Sequence, residues 1–202
     1  RFGFRNKDDL YDQGVENLIV GDSFVQGWCV NDEDTLSAGL SKLGHPSITL
    51  GVAANGPLIE LATLSEYWPV IQPQRIFWVY YEGNDLVTNL RTEKESPLLM
   101  KYMQDGFSQH LIKRQEEVDK LLNEHLSKEK EKEKAKAKAK AKRDKWIHRK
   151  RWIRLRSVRS VIGINTKGDI DLDPLFEKIL TKAKAEVEAW GGFLYFVYLP
   201  EY

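Results

Sequence analysis

The chain has 202 residues, of which 42% are hydrophobic and 11% aromatic, which is enough for one α/β domain with a sizeable core. Its longest apolar runs, 76–81 and 193–199, are far shorter than the roughly 18 residues that a membrane-spanning helix needs, so they predict buried strands instead. The single cysteine, Cys29, excludes an internal disulfide bond, and we expect it to pack as a small buried side chain.

The net charge of +1 conceals an uneven distribution of charge along the chain. Residues 128–159 contain 16 Lys or Arg and only 4 acidic residues, whereas the remainder of the chain is acidic. The sequence therefore predicts an acidic body that carries a basic insertion.

The first predicted unit is a strand, a turn and a helix. The apolar run 18–20 predicts the strand, and Asp34 is the candidate N-cap of a helix that ends at Gly44. The apolar stripe of this helix consists of Leu36, Leu40 and Leu43.

Three more strands and two more helices follow the same alternation. The β-branched segment 47–51 predicts a second strand, Pro57 opens a second helix, and the near-continuous apolar run 75–81 predicts a central parallel strand. An amphipathic helix begins at Asp173, and 193–199 is the fourth strand. The apolar positions of this last helix are Phe176, Ile179, Leu180, Ala183, Val187 and Trp190. This alternation favours a doubly wound α/β sheet.

A long charged helical segment, 96–160, interrupts this single domain as an insertion. A lysine-rich repeat is followed by tryptophans and arginines that alternate along the chain. Three interpretations stay open: a helical hairpin lid that packs its Trp side on the body, an anionic membrane surface bound through 128–159, and nucleic acid. Nucleic acid is the least favoured, because no nucleic-acid motif accompanies the charge.

Polar, glycine-rich motifs follow the first three predicted strands. They are Gly21-Asp22-Ser23, the segment GVAANGP (51–57) and the segment YEGNDL (81–86). Each motif alone consists of ordinary turn residues and would suit a flavodoxin-like sheet without any catalytic role. Because ligands bind beyond the carboxyl ends of parallel strands, the order of the three motifs predicts one shared site.

In this order the motifs resemble those of the SGNH (GDSL-type) hydrolase superfamily, including bacterial proteins of cell-surface polysaccharide O-acetylation, such as alginate O-acetyltransferases, and esterase-like relatives. The resemblance covers roughly residues 1–90 and 160–202. It implies a three-layer α/β/α parallel sheet and a serine-dependent esterase or O-acyltransferase. The implied substrate is an O-acylated carbohydrate or small molecule, the implied location is the cell envelope, and no metal or cofactor is implied.

The resemblance also implies roles for individual residues. Ser23 is the nucleophile, and its own N–H helps to bind the oxyanion. The Asn84 side chain and the Ala54 backbone N–H are the other oxyanion donors, with the Gly56 N–H as an alternative to that of Ala54. The family has a glycine where this chain has Ala54, so a positive φ at this position would strain the alanine.

Four further residues are expected beside the site, namely Asp22, Glu82, Gly83 and Asp85. The family usually has glycine at the position of Glu82. Glu82 is either a structural carboxylate or part of the pocket wall, and the sequence does not decide between these roles.

The catalytic base of such an enzyme is missing from the sequence. A late Asp-x-x-His motif would supply it, yet no histidine here lies three residues after an aspartate. The four histidines are His45, His110, His125 and His148. We expect that the segment from Arg1 to Tyr202 stops before the acid–base block, lacks the last strand and helix of the fold, and is inactive by itself. The alternative is a noncatalytic SGNH-like protein for carbohydrate binding or assembly.

Overall fold

A computed structural model of the protein describes residues 2–147 and 173–200. The chain divides into two compact units. The first comprises Arg1–Lys113 and Asp171–Tyr202, and the second comprises Arg114–Ile170.

A four-stranded sheet forms the centre of the first unit. Its strands are β1 (Asn17–Val20), β2 (Ser47–Thr49), β3 (Arg75–Tyr81) and β4 (Phe193–Leu199), in the order β2-β1-β3-β4. All neighbouring strands are parallel, and Ile19 of β1 pairs with Thr49 of β2 and Phe77 of β3. The α/β class and all four predicted strands are therefore confirmed, and the carboxyl ends of the strands lie at one edge of the sheet.

Seven α-helices occur in the described part of the chain. They are α1 (Ser23–Gln26), α2 (Leu36–Lys42), α3 (Pro57–Ile71), α4 (Arg91–Glu93), α5 (Pro97–Met100), α6 (Gln115–Ile147) and α7 (Pro174–Ala189). Helix α3 begins at Pro57 as predicted, because proline lacks an N–H that the first turn would leave unpaired. Helix α7 begins after Asp173, whose Oδ1 accepts a hydrogen bond from the Leu175 N–H. No helix among the described residues is both long and apolar enough to cross a bilayer.

Two hydrophobic clusters cover the two faces of the sheet. The larger cluster packs α3 and α7 on one face and includes the fully buried side chains Leu61, Trp78 and Ile179. The smaller cluster contains Ile19 and Val79, and Leu40 of α2 packs against it. Because successive side chains of a strand point to opposite faces, helices flank the sheet on both sides.

Helix α2 differs from the prediction in two ways. Its N-cap is Thr35, whose hydroxyl accepts a hydrogen bond from the Ala38 N–H, whereas Asp34 ends a short 3₁₀ turn. Leu36 and Leu43 are exposed, so Leu40 alone of the predicted stripe packs on the core. The two exposed leucines stand at the ends of a two-turn helix, where only the middle faces the sheet.

The predictions that Cys29 and the strand at 193–199 are buried are both wrong. Cys29 is exposed in the turn that follows α1. Strand β4 pairs with β3 alone among the described strands, so it is an edge strand there. The exposed side chains of β4 are Phe193, Tyr195, Phe196 and Tyr198.

The separate charged unit begins later than the predicted boundary at residue 96. Helix α5 and the turn after it belong to the first unit, where the Tyr102 hydroxyl is buried and donates a hydrogen bond to Glu66 at 2.7 Å. The second unit contains α6, one continuous helix of 33 residues. Residues 148–159 of the basic segment lie outside the described residues. The lid, membrane and nucleic-acid interpretations therefore stay predictions.

Candidate active site

Ser23 is the first residue of α1 and follows the carboxyl end of β1 after two residues. Asp22 is the N-cap of this short helix, and its Oδ1 accepts a hydrogen bond from the Phe24 N–H at 2.9 Å. A Cβ at Gly21 would lie 2.5 Å from a methyl group of Val25, so only glycine allows this sharp turn from strand to helix. The local sequence thus delivers the serine hydroxyl to the edge of the sheet, as predicted.

The buried carboxylate of Asp22 joins the first motif to the third. Its Oδ2 accepts hydrogen bonds from the Ser23 hydroxyl and from the Asn84 side-chain amide, both at 3.5 Å. These are long, weak hydrogen bonds. They bring the predicted nucleophile and the predicted oxyanion donor to one oxygen atom. Asn84 Oδ1 is buried and has no hydrogen-bond partner in the described structure.

The second motif lies against the first through two backbone donors. The Val52 N–H donates to the Gly21 carbonyl at 3.4 Å, and the Ala53 N–H donates to the Gln26 side chain at 2.8 Å. Ala54, next in the chain, has a φ of 69°, which is the left-handed conformation that strains an alanine. No acceptor among the described residues receives the Ala54 N–H, so this donor is available to an oxyanion.

Gly56 is the poorer of the two candidate donors because its N–H is already engaged. It donates to Glu93 Oε1 at 2.5 Å, and Glu93 Oε2 accepts the N–H groups of Leu58 at 3.0 Å and Ile59 at 3.4 Å. Glu93 therefore caps the N-terminus of α3. The contacts favour Ala54 over Gly56 as the backbone donor of the second motif.

Glu82 connects the ends of β3 and β4. Its N–H donates to the Leu199 carbonyl at 3.0 Å, and a hydrogen bond between Glu82 and the Tyr198 hydroxyl raises the pKa of that tyrosine. Of the two roles that the sequence left open, these contacts favour the structural carboxylate.

Gly83 and Asp85 shape the turn after β3. A Cβ at Gly83 would lie 2.5 Å from the Tyr81 ring, so a larger residue would displace this aromatic side chain. Asp85 Oδ2 accepts a hydrogen bond from the Tyr81 N–H at 2.7 Å, whereas its Oδ1 is buried without a partner among the described residues. The side chain of Asp85 therefore stabilises the turn rather than facing a ligand.

Buried carboxyl groups dominate the electrostatics beneath the site. Burial raises the pKa of Asp85 to about 7, although the hydrogen bond from the Tyr81 N–H opposes this shift. Burial also raises the pKa of Glu60 on α3 well above its usual range, with the negative charge of Asp85 as the next cause. Burial raises the pKa of Glu93 against the opposing effect of its backbone donors. No group of three metal-binding side chains among the described residues could hold a metal ion.

Sequence reasoning missed both Glu60 and Glu93. Glu60 is the single charged residue in the stretch PLIELATL (57–64). Its position among apolar residues could have predicted a buried carboxyl group. Glu93 lies in the polar stretch RTEKES (91–96), where nothing distinguishes it from a solvated residue.

His45 and His110, the histidines described in the unit that holds Ser23, do not contact it. His45 Nδ1 lies 2.8 Å from Glu16, and both residues precede strands, so this pair is at the amino edge of the sheet, opposite Ser23. The other histidines are His110, which contacts Ser108, His125 on α6, and His148, which lies outside the described residues. Within the described part of the first unit, no histidine therefore serves as a base for Ser23.

Aromatic side chains lie next to the serine. The half-exposed Phe24 ring packs on Tyr81 with a centroid distance of 4.6 Å. The Trp28 N–H donates to the Ser23 carbonyl at 3.1 Å, and the Trp28 indole is exposed. Arg5 donates hydrogen bonds to carbonyl groups of the turn that carries Trp28. This turn is therefore held in place, and its Trp28 indole is exposed apolar surface.

Arg5 also lines a cavity of about 530 Å³. Its lining includes Lys7, Leu10, Asp32, Ser37 and Lys42 but not Ser23, Ala54 or Asn84. The candidate site therefore does not coincide with this cavity.

Replacing Ala54 with glycine is expected to raise the free energy of unfolding by about 0.5–1 kcal/mol, because relief of the left-handed strain exceeds the backbone entropy that glycine adds to the unfolded chain. Ala53, whose φ is not positive, is the matched control, and Ala53→Gly should lower the free energy of unfolding by about the same amount. Urea denaturation measures both. Equal losses in the two variants would contradict the strain at Ala54.

Asp85→Asn is expected to change the pH dependence of stability. The pKa of Asp85 is about 7 in the folded protein against an ordinary value of 3.8, so the folded state holds this proton more tightly than the unfolded chain. The contribution of Asp85 to the free energy of unfolding is therefore complete below pH 3.8 and is lost as the pH rises to about 7.

The measurement is urea denaturation of the wild type and Asp85→Asn across this pH range. The difference in stability, wild type minus variant, should fall as the pH rises. Because the charge of Asp85 also raises the pKa of Glu60, part of this difference comes from the coupled titration of Glu60. A difference that is constant with pH would show that Asp85 is not the titrating group.

The comparisons with known proteins found no relative of this chain. No protein-family model, no curated protein and no solved structure matches the chain. The resemblance to SGNH hydrolases thus depends on the three sequence motifs.

Proposed function

We propose that this protein is a serine-dependent esterase or O-acyltransferase of the SGNH type, in which Ser23 accepts an acyl group from an O-acyl ester. The observation that carries the proposal is that Ser23 and Asn84 contact the same oxygen of Asp22, with the Ala54 turn held against the first motif. Three motifs that are distant in sequence thus supply one nucleophile and two oxyanion donors.

The chemistry is an acyl transfer in two steps. The Ser23 Oγ attacks the ester carbonyl carbon, the carbonyl π electrons move to its oxygen, and the resulting oxyanion accepts hydrogen bonds from Asn84 and from the Ala54 N–H. The alcohol then leaves with the proton that the serine loses. Water or a second hydroxyl group attacks the acyl-serine and releases the acid or the new ester.

The proton from Ser23 needs an acceptor, and a histidine outside the described residues is the group that this mechanism requires. Each oxyanion donor contributes about 3–4 kcal/mol to lowering the barrier. Without a base, the site keeps only the part of the acceleration that these donors and binding provide.

The proposed substrate is an O-acylated carbohydrate, such as an acetylated sugar of the cell envelope, or another small ester. The exposed Trp28 and half-exposed Phe24 offer apolar surface for a sugar ring or an acyl group beside Ser23.

The second candidate is a noncatalytic SGNH-like protein that binds carbohydrate or assists assembly. One observation favours it, namely that neither His45 nor His110, the histidines described in the same unit, contacts Ser23. In that case the same site would bind a sugar without transferring its acyl group.

A fluorophosphonate probe distinguishes the two candidates, because it reacts covalently with activated serines only. We expect the full-length protein, with its base outside the described residues, to be labelled, Ser23→Ala to lose the label, and the control Ser127→Ala on α6 to keep it. The measurement is in-gel fluorescence with an established serine hydrolase as the positive control. An unlabelled wild type beside a labelled positive control would favour the binding protein.

The basic segment 128–159 is proposed to bind anionic membrane surfaces. The protein should float with vesicles that contain phosphatidylserine and stay in the soluble fraction with pure phosphatidylcholine, because the attraction is electrostatic. Deletion of 128–159 should abolish flotation. Equal flotation with both lipids, or no effect of the deletion, would contradict this role.

A further inference from the structure

The segment that follows Asn84 holds the Ala54 turn through side chains. Asn89 Nδ2 donates to the Asn55 carbonyl at 2.9 Å, and Asn55 is the residue next to Ala54. Four residues later, the carboxylate of Glu93 accepts the N–H groups at the end of the same turn. Two side chains of one short segment therefore contact both sides of the loop that separates Ala54 from α3.

The same segment is tied directly to Asn84. A π-helix (Asp85–Leu90) begins after Asn84 and continues into α4, and the Asn84 carbonyl accepts hydrogen bonds from the N–H groups of Thr88 and Asn89, both at 3.0 Å. A continuous set of hydrogen bonds thus runs from Asn84 through Asn89 to Asn55. π-Helical turns occur frequently at functional sites.

Gly56 permits this close contact. A Cβ at Gly56 would lie 2.5 Å from Asn89 Cβ and 2.9 Å from both Glu93 oxygens. A larger residue would push the turn away from the π-helix. The glycine that serves poorly as an oxyanion donor therefore has a different role, which is to let the two segments approach.

The Ala54 turn needs such support. An alanine keeps the left-handed conformation only where contacts from the surrounding structure hold its backbone. The methyl side chain of Ala54 cannot form a hydrogen bond that would do so. The hydrogen bonds of Asn89 and Glu93 hold the backbone on the side that follows Ala54. The hydrogen bond from the Ala53 N–H to the Gln26 side chain holds it on the side that precedes Ala54.

We propose that Asn89 and Glu93 are positioning residues that set the spacing between the Ala54 N–H and the Asn84 amide, and so pre-organise the oxyanion site. The inference rests on the proposed serine chemistry. Neither residue touches the reacting atoms, since both act through the backbone of the Ala54 turn. Their effect falls on the bond-forming step, because the oxyanion exists only after Ser23 has attacked.

The test compares Asn89→Ala and Glu93→Gln with the control Thr92→Ala. Thr92 lies on the same segment, is exposed, and its hydroxyl donates to the Thr88 carbonyl rather than to the turn. Two quantities are measured: amide hydrogen exchange at residues 54–59, and the inactivation of Ser23 by a fluorophosphonate, resolved into the rate constant kinact and the affinity constant KI.

In both test variants we expect faster amide exchange at 54–59, a fall in kinact of at least about tenfold, and an unchanged KI. The control Thr92→Ala should keep the wild-type exchange rates and the wild-type kinact. Faster exchange with an unchanged kinact would overturn the proposal, because the two side chains would then be structural only. Unchanged exchange would overturn it as well. If Glu93→Gln does not fold, Asn89→Ala carries the test, since it removes a single hydrogen bond to the turn.

The design separates this proposal from the proposed function. A labelled wild type with unaffected variants overturns the positioning role alone. An unlabelled wild type overturns the serine chemistry and the positioning role together.

Discussion

The common direction of β1, β2 and β3 is the constraint on which the candidate site depends. Parallel pairing places the carboxyl ends of these strands at one edge, so the turns that follow them must meet there. The buried Asp22 carboxylate then joins the first turn to the third, and Asn89 joins the third turn to the second. If one strand ran in the opposite direction, its polar motif would lie at the other edge of the sheet, where His45 contacts Glu16.

The site combines several features that cost stability. Ala54 has a left-handed backbone, Asn84 Oδ1 is buried without a partner in the described structure, and the pKa values of Glu60 and Asp85 are raised by burial. Strained backbone and buried polar groups of this kind concentrate at functional sites. Their concentration beneath Ser23 fits a site in which donors must be held rigidly before a substrate binds.

The choice between catalysis and binding depends on the proton acceptor for Ser23. An oxyanion site and a nucleophile suffice to hold an ester, but a serine hydroxyl is nearly inert at neutral pH without a base. Glu82, which the sequence placed beside the pocket, hydrogen-bonds to Tyr198 and so stabilises the junction of β3 and β4. The described carboxylate that hydrogen-bonds to the Ser23 hydroxyl is Asp22. It also accepts a hydrogen bond from the Asn84 side-chain amide and thus orients the site.

The sequence by itself determined the strands, the starts of α3 and α7, and the order of the three motifs, because alternation, proline and capping act over a few residues. Burial was less predictable: Cys29 and Leu43 are exposed because only the packed sheet decides which surface is covered. The tertiary structure alone shows that the Gly56 N–H is engaged, which favours Ala54 as the proposed donor. The Gly56 N–H is taken by Glu93, 37 residues away in the chain, and no local pattern can report a contact over that distance.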